Sequence, residues 1–294
     1  MVRKIGLCIL VCLALFSCEF KKTASHKEFS RIISLSPHIT EIIFALGQED
    51  KLAGITDFCT YPPETAEKEK IGGLLNPNFE RIVSLSPDIL IGTPAVHDLA
   101  VRLKSQNLNF VLLENDRLED LFAAVDSIGI LLNCKDRSDS LNKMIKDSLH
   151  YYSGLSKKLS EAKPAALMVI GRDIGSTRNI TAAGPGTFID TVWNSCGGEN
   201  IFSDLPAFYS RVSREAVLDR QPDLIIEFKF KEAWNCRKNQ ANIVQWQEFE
   251  NLKAAAAGNI FVITGDYSLI PGPRLYLLAR DFYRIFDTYI KNQH

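Results

Sequence analysis

The sequence lacks an excess of charge of either sign, which limits the partners it can have. Its 34 lysine and arginine residues nearly balance 35 aspartate and glutamate residues, for a net charge of −1. Proteins that bind nucleic acid generally cluster positive charge, because that charge displaces counterions from the phosphates. The sequence therefore does not predict a nucleic-acid-binding protein.

Short catalytic and metal-binding motifs are missing as well. The chain contains neither a G-x-S-x-G nucleophile elbow nor an H-E-x-x-H pair. Residues 182–186, A-A-G-P-G, lack the lysine of a P-loop and the G-x-G-x-x-G of a dinucleotide fold, so they predict a turn. The five histidines are scattered, and no C-x-x-C spacing occurs among the seven cysteines, so no metal site is predicted. We expect a protein that is not an enzyme; an extracellular enzyme on a two-lobed scaffold is the alternative of a different class.

One apolar run lies near the N-terminus, and it is too short to span a bilayer comfortably. Arg3 and Lys4 precede the uncharged residues 5–16, a layout typical of a secretory signal. The run ends in L-F-S-C, which resembles the lipobox of bacterial lipoproteins and implies that Cys18 is lipidated and becomes the first mature residue. We therefore expect a signal peptide at residues 1–17 and a tether at residues 18–30. Its acyl chains would anchor the exported protein in the cell envelope, in the periplasm or on the outer face of the cytoplasmic membrane.

A short pattern occurs twice in the chain. Glu80 to Ile91 reads E-R-I-V-S-L-S-P-D-I-L-I, and Glu215 to Ile226 reads E-A-V-L-D-R-Q-P-D-L-I-I. In each copy a glutamate opens a short helical pattern, Pro-Asp follows, and an apolar run predicts a buried strand. Two copies predict two similar α/β lobes, with a ligand between them beyond the carboxyl ends of the strands. The alternative is that Pro-Asp marks an ordinary helix-to-strand junction.

Strand and helix patterns alternate on both sides of one long helical stretch. The alternation covers residues 31–135 and 163–294, which favours two Rossmann-like lobes with mostly parallel sheets. Residues 136–160 carry a single apolar stripe with no strand. We expect a rigid linker helix within residues 136–162 that joins the lobes across a ligand cleft; the alternative is a helix packed on one lobe. Within the second lobe, residues 243–256 are predicted to form one helix.

Five sequence blocks occur in an order that resembles a known family. They are R-I-I-S-L-S-P-H-I-T-E-I-I-F-A-L-G from Arg31, T-D-F-C-T-Y-P-P, F-E-R-I-V-S-L-S-P-D-I-L-I, C-G-G-E-N-I-F from Cys196 and V-S-R-E-A-V-L from Val212. Together they resemble the class III periplasmic substrate-binding proteins of ABC importers for cobalamin and ferric siderophores. The resemblance implies a monomer that captures a metal chelate and delivers it to a membrane permease. It implies no catalytic residue and no resident cofactor.

The resemblance also implies roles for individual residues. Glu80 and Glu215 occupy the places at which the family presents one carboxylate per lobe to the permease, and such contacts set orientation and on-rate more than affinity. The alternative for each is an acid favoured at a helix start by the macrodipole. Leu74 stands where a tryptophan is usual. The expected ligand-binding residues would offer mostly aromatic surface to a flat macrocycle: His38, Phe58, Leu74, Phe208, Tyr209, Asp266 and Tyr267.

The resemblance orders the candidate ligands. Cobalamin or another corrinoid comes first, because the F-C-T-Y-P-P loop and neutral aromatic residues match the cobalamin-binding members. A ferric siderophore comes second and would call for cleft arginines, for which the candidates are Arg172, Arg178, Arg211 and Arg274. Haem comes third, since the tyrosine ligand of haem-binding relatives has no counterpart near Leu74. Cys196 matches a family cysteine whose partner position here is Tyr283, so it is expected to pair elsewhere, for instance with Cys236, or to stay free.

Overall fold

The structure is a computed structural model. It describes residues 28–104, 108–230, 244–247, 249 and 251–293. The expected signal peptide, Cys18, the tether up to residue 27 and Cys236 lie outside the described residues. None of the helices in the described part combines the length and the hydrophobicity needed to cross a membrane.

The first lobe is built on a four-stranded, fully parallel sheet with the order β2-β1-β3-β4. Residues of β1 and β3 are all buried, which explains why neither strand alternates between apolar and polar residues. The strands are β1 (Ile32–Ser34), β2 (Leu52–Ile55), β3 (Ile89–Gly92) and β4 (Asn109–Leu112). The helices are α1 (Pro37–Ala45), α2 (Phe79–Ser84), α3 (His97–Lys104) and α4 (Leu118–Leu131).

One long helix, α5 (Lys135–Leu159), follows the first lobe and contacts both lobes. Near its start, the Arg137 guanidinium donates to the Leu46 carbonyl at the end of α1, at 2.8 Å. Near its end, the Ser153 hydroxyl donates to the Ser195 carbonyl of the second lobe, at 2.5 Å. The predicted linker is therefore present, and the alternative of a helix packed on one lobe is wrong.

The second lobe has a mixed six-stranded sheet with the order β10-β9-β5-β6-β8, and β7 pairs with β5. Strands β7, β9 and β10 run parallel to β5, whereas β6 pairs antiparallel with both β5 and β8. The strands are β5 (Ala165–Gly171), β6 (Ile180–Ala183), β7 (Glu199–Asn200), β8 (Tyr209–Val212), β9 (Leu224–Phe228) and β10 (Ile260–Ile263). The helices are α6 (Phe188–Ser195), α7 (Arg214–Arg220), α8 (Lys253–Ala256) and α9 (Leu275–Lys291).

Two local expectations for the second lobe are wrong. Residues 182 and 183, predicted as part of a turn, end strand β6. The single helix predicted over residues 243–256 is broken: residues 244–247 are helical, residues 249, 251 and 252 are not, and α8 resumes the helix. Phe249 and Leu252 are buried, and Phe249 stacks on Trp246 at a centroid distance of 5.6 Å. Burial of these bulky side chains overrides local helix propensity, which is a weak preference.

The repeated pattern forms the same capped helix in each lobe. Asn78 precedes α2 and Ser213 precedes α7, and the side chain of each accepts a hydrogen bond from the backbone N–H three residues later. Side chains of this kind satisfy one of the free N–H groups of a helix start. The two copies thus agree in backbone structure as well as in sequence.

The aspartate of each Pro-Asp pair ties two neighbouring strands together. The Asp88 carboxylate, just before β3, accepts from the backbone N–H of Arg31, just before β1, at 3.2 Å. The Asp223 carboxylate, just before β9, accepts from the backbone N–H of Ala165, the first residue of β5, at 2.9 Å. Pro-Asp is therefore a structural junction, and the pair still marks equivalent positions in two lobes.

A single apolar core runs through both lobes and the linker helix. It includes Ile42 and Val125 of the first lobe, Ile145 of α5, and Trp193 and Phe282 of the second lobe. The rings of Trp193 and Phe282 meet edge to face at a centroid distance of 5.2 Å. Smaller separate clusters lie within each lobe. The lobes are therefore joined by packed side chains and not by the backbone of α5 alone.

Candidate functional site

Loops of the first lobe present apolar side chains to solvent. The loop after β2 carries Phe58, 61% exposed, and Tyr61, 41% exposed. Leu74 is half-buried, and the neighbouring Leu75 is 75% exposed. The sequence predicts ligand binding for Phe58 and Leu74, and this role stays a prediction. Tyr61, in the same loop motif as Phe58, and Leu75 were not singled out in the sequence.

Phe208 and Tyr209 of the second lobe lie beside a loop of the first lobe. The Arg117 guanidinium lies over the Phe208 ring, 5.1 Å from its centroid. The Asp116 carbonyl accepts from the backbone N–H of Phe188 at 2.8 Å. Burial, and then the Asp116 carboxylate, raise the pKa of Tyr209, so its phenol stays neutral. The sequence missed Asp116 and Arg117, because their role depends on how the lobes meet.

Asp266 and Tyr267 follow β10 in a short 3-10 turn. The Asp266 carboxylate accepts from Nη1 of Arg274 at 2.8 Å. Burial acts to raise the pKa of Asp266, but Arg274 outweighs it, and the pKa lies below its usual value. Tyr267 donates to the Asp281 carboxylate, and burial together with that carboxylate raises its pKa to about 12. Asp266 is thus an anion and Tyr267 a neutral donor at neutral pH.

His38 offers almost no surface to a ligand in this structure. It is 2% exposed at the second position of α1, and its Nδ1 lies 2.8 Å from the Ser36 hydroxyl. Burial lowers its pKa to about 4, so the imidazole is neutral at physiological pH. Its Nε2 is buried without a hydrogen-bond partner among the described residues. A binding role for His38 stays a prediction.

Two of the four arginines considered for an anionic ligand are already engaged within the protein. Arg172 forms an ion pair with Glu227, and both side chains are 1% exposed. Arg274 forms an ion pair with Glu41. The remaining two are exposed: Arg178 and Arg211. An anionic chelate would therefore find fewer free cations than the sequence predicts.

The two proposed docking glutamates occupy equivalent positions. Glu80 is the second residue of α2 and Glu215 the second residue of α7, and both are exposed. Hydrogen bonds from its own backbone N–H and from Ser213 lower the pKa of Glu215. Each lobe thus presents one carboxylate at the same place of the same structural unit. Their contact with a permease stays a prediction.

The cysteines and acids of the described part do not assemble a metal site. No group of three or more His, Cys, Asp or Glu residues has suitable geometry within that part. Cys59, Cys134 and Cys196 are free thiols, and burial raises the pKa of Cys196 to about 11. Of the two outcomes left open for Cys196, the structure has the free thiol.

Two α/β lobes bridged by one helix, with loops of both lobes meeting along a shared boundary, define a two-lobed binding protein. The chain belongs to the periplasmic binding protein family, whose model matches residues 32–267. This is a family of substrate-binding proteins that work outside the cytoplasm, binding a small molecule and acting with a permease.

Similar proteins cover most of the chain. A vitamin B12-binding protein of Vibrio parahaemolyticus is 28% identical over 86% of this chain and 87% of its own length. An uncharacterized ABC transporter substrate-binding lipoprotein of Bacillus subtilis is 27% identical over 85% of this chain and 77% of its own length. A solved periplasmic heme-binding protein of Roseiflexus has a TM-score of 0.73 at 23% identity, covering 89% of this chain and 99% of its own. At that identity the structural likeness establishes the fold.

Proposed function

We propose that the chain is the substrate-binding component of an ABC importer that captures a corrinoid, such as cobalamin, between its lobes. The observation that carries the proposal is the supply of neutral aromatic surface by both lobes. Phe58 and Tyr61 come from the first lobe, and Phe208 and Tyr209 come from the second. The likeness to the vitamin B12-binding protein of Vibrio parahaemolyticus supports the same ligand class.

A flat, largely uncharged ring fits these residues better than a compact anion does. Aromatic contacts add about 0.5–1.5 kcal/mol per pair beyond the burial of area. The raised pKa values of Tyr209 and Tyr267 keep both phenols neutral, so neither repels an electron-rich ligand. The second candidate is an anionic chelate, haem or a ferric siderophore, whose anionic oxygens would pair with Arg178 and Arg211.

The remaining features of the proposal concern attachment and chemistry. Cys18 would carry the lipid anchor, and the residues after it would tether the folded body to the membrane surface. The protein would act as a monomer, with no catalytic step of its own and no resident cofactor. The lipoprotein relative from Bacillus subtilis supports the anchored form.

A ligand titration tests the proposal. Protein starting at residue 19 is titrated with cyanocobalamin, cobinamide, haemin and a ferric catecholate, and the intrinsic fluorescence is followed. We expect saturable quenching by both corrinoids, with sub-micromolar affinity. Tyr209→Ala should weaken corrinoid binding about tenfold, as expected for about 1.4 kcal/mol of lost contact. Tyr151→Ala is the matched control, since Tyr151 is 61% exposed on the linker helix. Flat corrinoid titrations, with saturation by haemin or the catecholate instead, contradict the proposal.

The permease contact is tested separately with the double variant Glu80→Gln/Glu215→Gln. We expect corrinoid binding to persist while uptake by cells is lost, because the two carboxylates would orient the lobes on the permease. Glu119→Gln is the matched control, since Glu119 is an exposed acid in the first turn of α4. If uptake survives in the double variant, or falls equally in the control, the two glutamates do not dock the permease and only stabilise the starts of their helices.

A further inference from the structure

The Arg274 guanidinium forms a buried contact between the two lobes. Arg274 immediately precedes α9 in the second lobe, and Glu41 lies in α1 of the first lobe. Nε of Arg274 donates to Oε2 of Glu41 at 2.9 Å, and Nη2 donates to Oε1 at 2.6 Å. The two side chains are 11% and 2% exposed. This is a bidentate, buried ion pair between residues that are 233 positions apart in the chain.

The same guanidinium also holds one residue from a loop of each lobe. Its Nη1 donates to Asp266 in the loop after β10, at 2.8 Å. Its central carbon lies 3.8 Å from the ring centroid of Tyr61, in the loop after β2. Tyr61 is 41% exposed, and the side chain of Asp266 is 28% exposed. Arg274 therefore connects surface-reaching residues of both lobes at the ends of parallel strands.

The Arg274 contact and the linker helix line one cavity. A cavity of about 820 Å³ is lined both by Glu41, Tyr61 and Arg274 and by Leu141 and Met144 of α5. The side chains around Arg274 thus do not fill the space up to the helix. The shared apolar core already joins the lobes, and a directional polar contact beside it restricts their relative orientation further. An ion pair with fork geometry restricts orientation more strongly than an apolar contact, because both hydrogen bonds need the same plane.

Stability alone does not account for a buried ion pair at this place. Removing charges from water offsets most of their attraction, and well-packed apolar residues often serve equally well. What the pair adds is a fixed arrangement of the groups that meet there. The best-attested use of buried polar groups is indeed to specify one arrangement among several.

We propose that Arg274 is a positioning residue of the ligand cleft, which fixes the placement of the Tyr61 loop relative to the Asp266 loop through its fork on Glu41. The spacing of the two lobes would then be set before a ligand arrives. The proposal rests on the proposed function for the nature of the ligand and on the contacts of Arg274 for the geometry.

The perturbation is the double variant Glu41→Leu/Arg274→Met, which removes the fork and leaves neither Glu41 nor Arg274 as an unpaired buried charge. Asp266 loses its cation, but its side chain is 28% exposed and still accepts from the backbone N–H of Tyr267 at 2.9 Å. Nitroxide labels are introduced as unnatural amino acids at Val101 and Ala257, which are exposed in the first and second lobes. Pulsed electron paramagnetic resonance then measures the distance between the lobes without ligand. We expect one narrow distance distribution in the parent protein and a broader or shifted one in the double variant. Cyanocobalamin affinity should fall about tenfold if the binding-competent arrangement drops to about a tenth of the population.

Arg220 provides a matched control inside one lobe. Its guanidinium makes a bidentate pair with Asp204 at 2.7 and 2.8 Å and lies 4.6 Å from the Phe202 ring centroid. Arg220→Met should change neither the distance distribution nor the cobalamin affinity. If the double variant does not fold, Arg274→Lys replaces it. Lysine keeps the charge but cannot form the planar fork, so a smaller change of the same kind is expected.

The results separate this inference from the proposed function. An unchanged distance distribution in a folded Arg274 variant overturns the inference, and so does a changed distribution with unchanged cobalamin affinity. If the parent protein binds no corrinoid, the proposed function fails, and the distance measurement still decides whether Arg274 fixes the lobes.

Discussion

Because His38 is buried, we expect the protein to lose stability in acid. In the folded protein burial lowers the pKa of this imidazole to about 4, against 6.5 for an unperturbed histidine. Between these two values the unfolded chain binds a proton at this position and the folded chain does not. The free energy of unfolding therefore decreases as the pH falls through this window, and the loss is complete near pH 4. At about 1.36 kcal/mol per pKa unit, the whole window corresponds to about 3 kcal/mol.

The assay compares the parent protein with His38→Gln, which cannot titrate. Urea unfolding is followed by tryptophan fluorescence at several pH values, from about 7.5, above this window, down to about 4, its lower limit. The carboxylates contribute nearly equally to both proteins, so the difference between the two free energies isolates His38. As the pH falls, we expect the parent protein to lose about 3 kcal/mol of unfolding free energy relative to His38→Gln. His150→Gln, at an exposed position of the linker helix, is the matched control. A constant difference for His38→Gln, or an NMR titration of His38 near its ordinary pKa, refutes the reasoning.

Two further predictions concern stability. Asp88→Ala and Asp223→Ala should each lower the free energy of unfolding by about 1–3 kcal/mol, because each leaves a backbone N–H at a strand start without its charged acceptor. Urea unfolding measures the loss, and the corresponding Asn variants should recover part of it. Unaltered unfolding midpoints in both Ala variants would contradict the equivalence of the two junctions. Gly198→Ala would place a Cβ atom 1.9 Å from the Trp193 ring. Overpacking of this kind costs about 1–3 kcal/mol, so thermal unfolding should shift to a lower temperature, and an unchanged melting temperature would show that the ring can move aside.

The lobes and the linker could be predicted from the sequence because their signals are local. Strands β1, β3 and β9 are buried throughout, and most of their residues are apolar, with Ser34 in β1 and Glu227 in β9 as the polar exceptions. The break between residues 247 and 253 could not be read in this way, since helix propensity favours continuity there. It arises because Phe249 and Leu252 are buried in the core of the second lobe, which is a property of the whole lobe.

The site was predicted less completely, for a physical reason. The places of Phe58, in the loop after β2, and of Tyr209, at the start of β8, follow from the positions of the strands, but the contacts between lobes do not. Arg117 meets Phe208, and Arg274 meets Glu41, only because the lobes pack in one orientation. Glu41 is an acid within the apolar pattern of α1, which indicates a buried partner, but it was not singled out from the sequence. Nothing local in the sequence pointed to Arg274 as that partner.

The shared core has a consequence for how the chain acquires its structure. Since Trp193 and Phe282 pack in one cluster with Ile42 and Ile145, the first half cannot bury its part of this shared core before the second half has been synthesised. A fragment ending at the linker would expose that surface and would be prone to aggregate. Folding of the two halves is thus cooperative, and denaturant should unfold both halves in one transition.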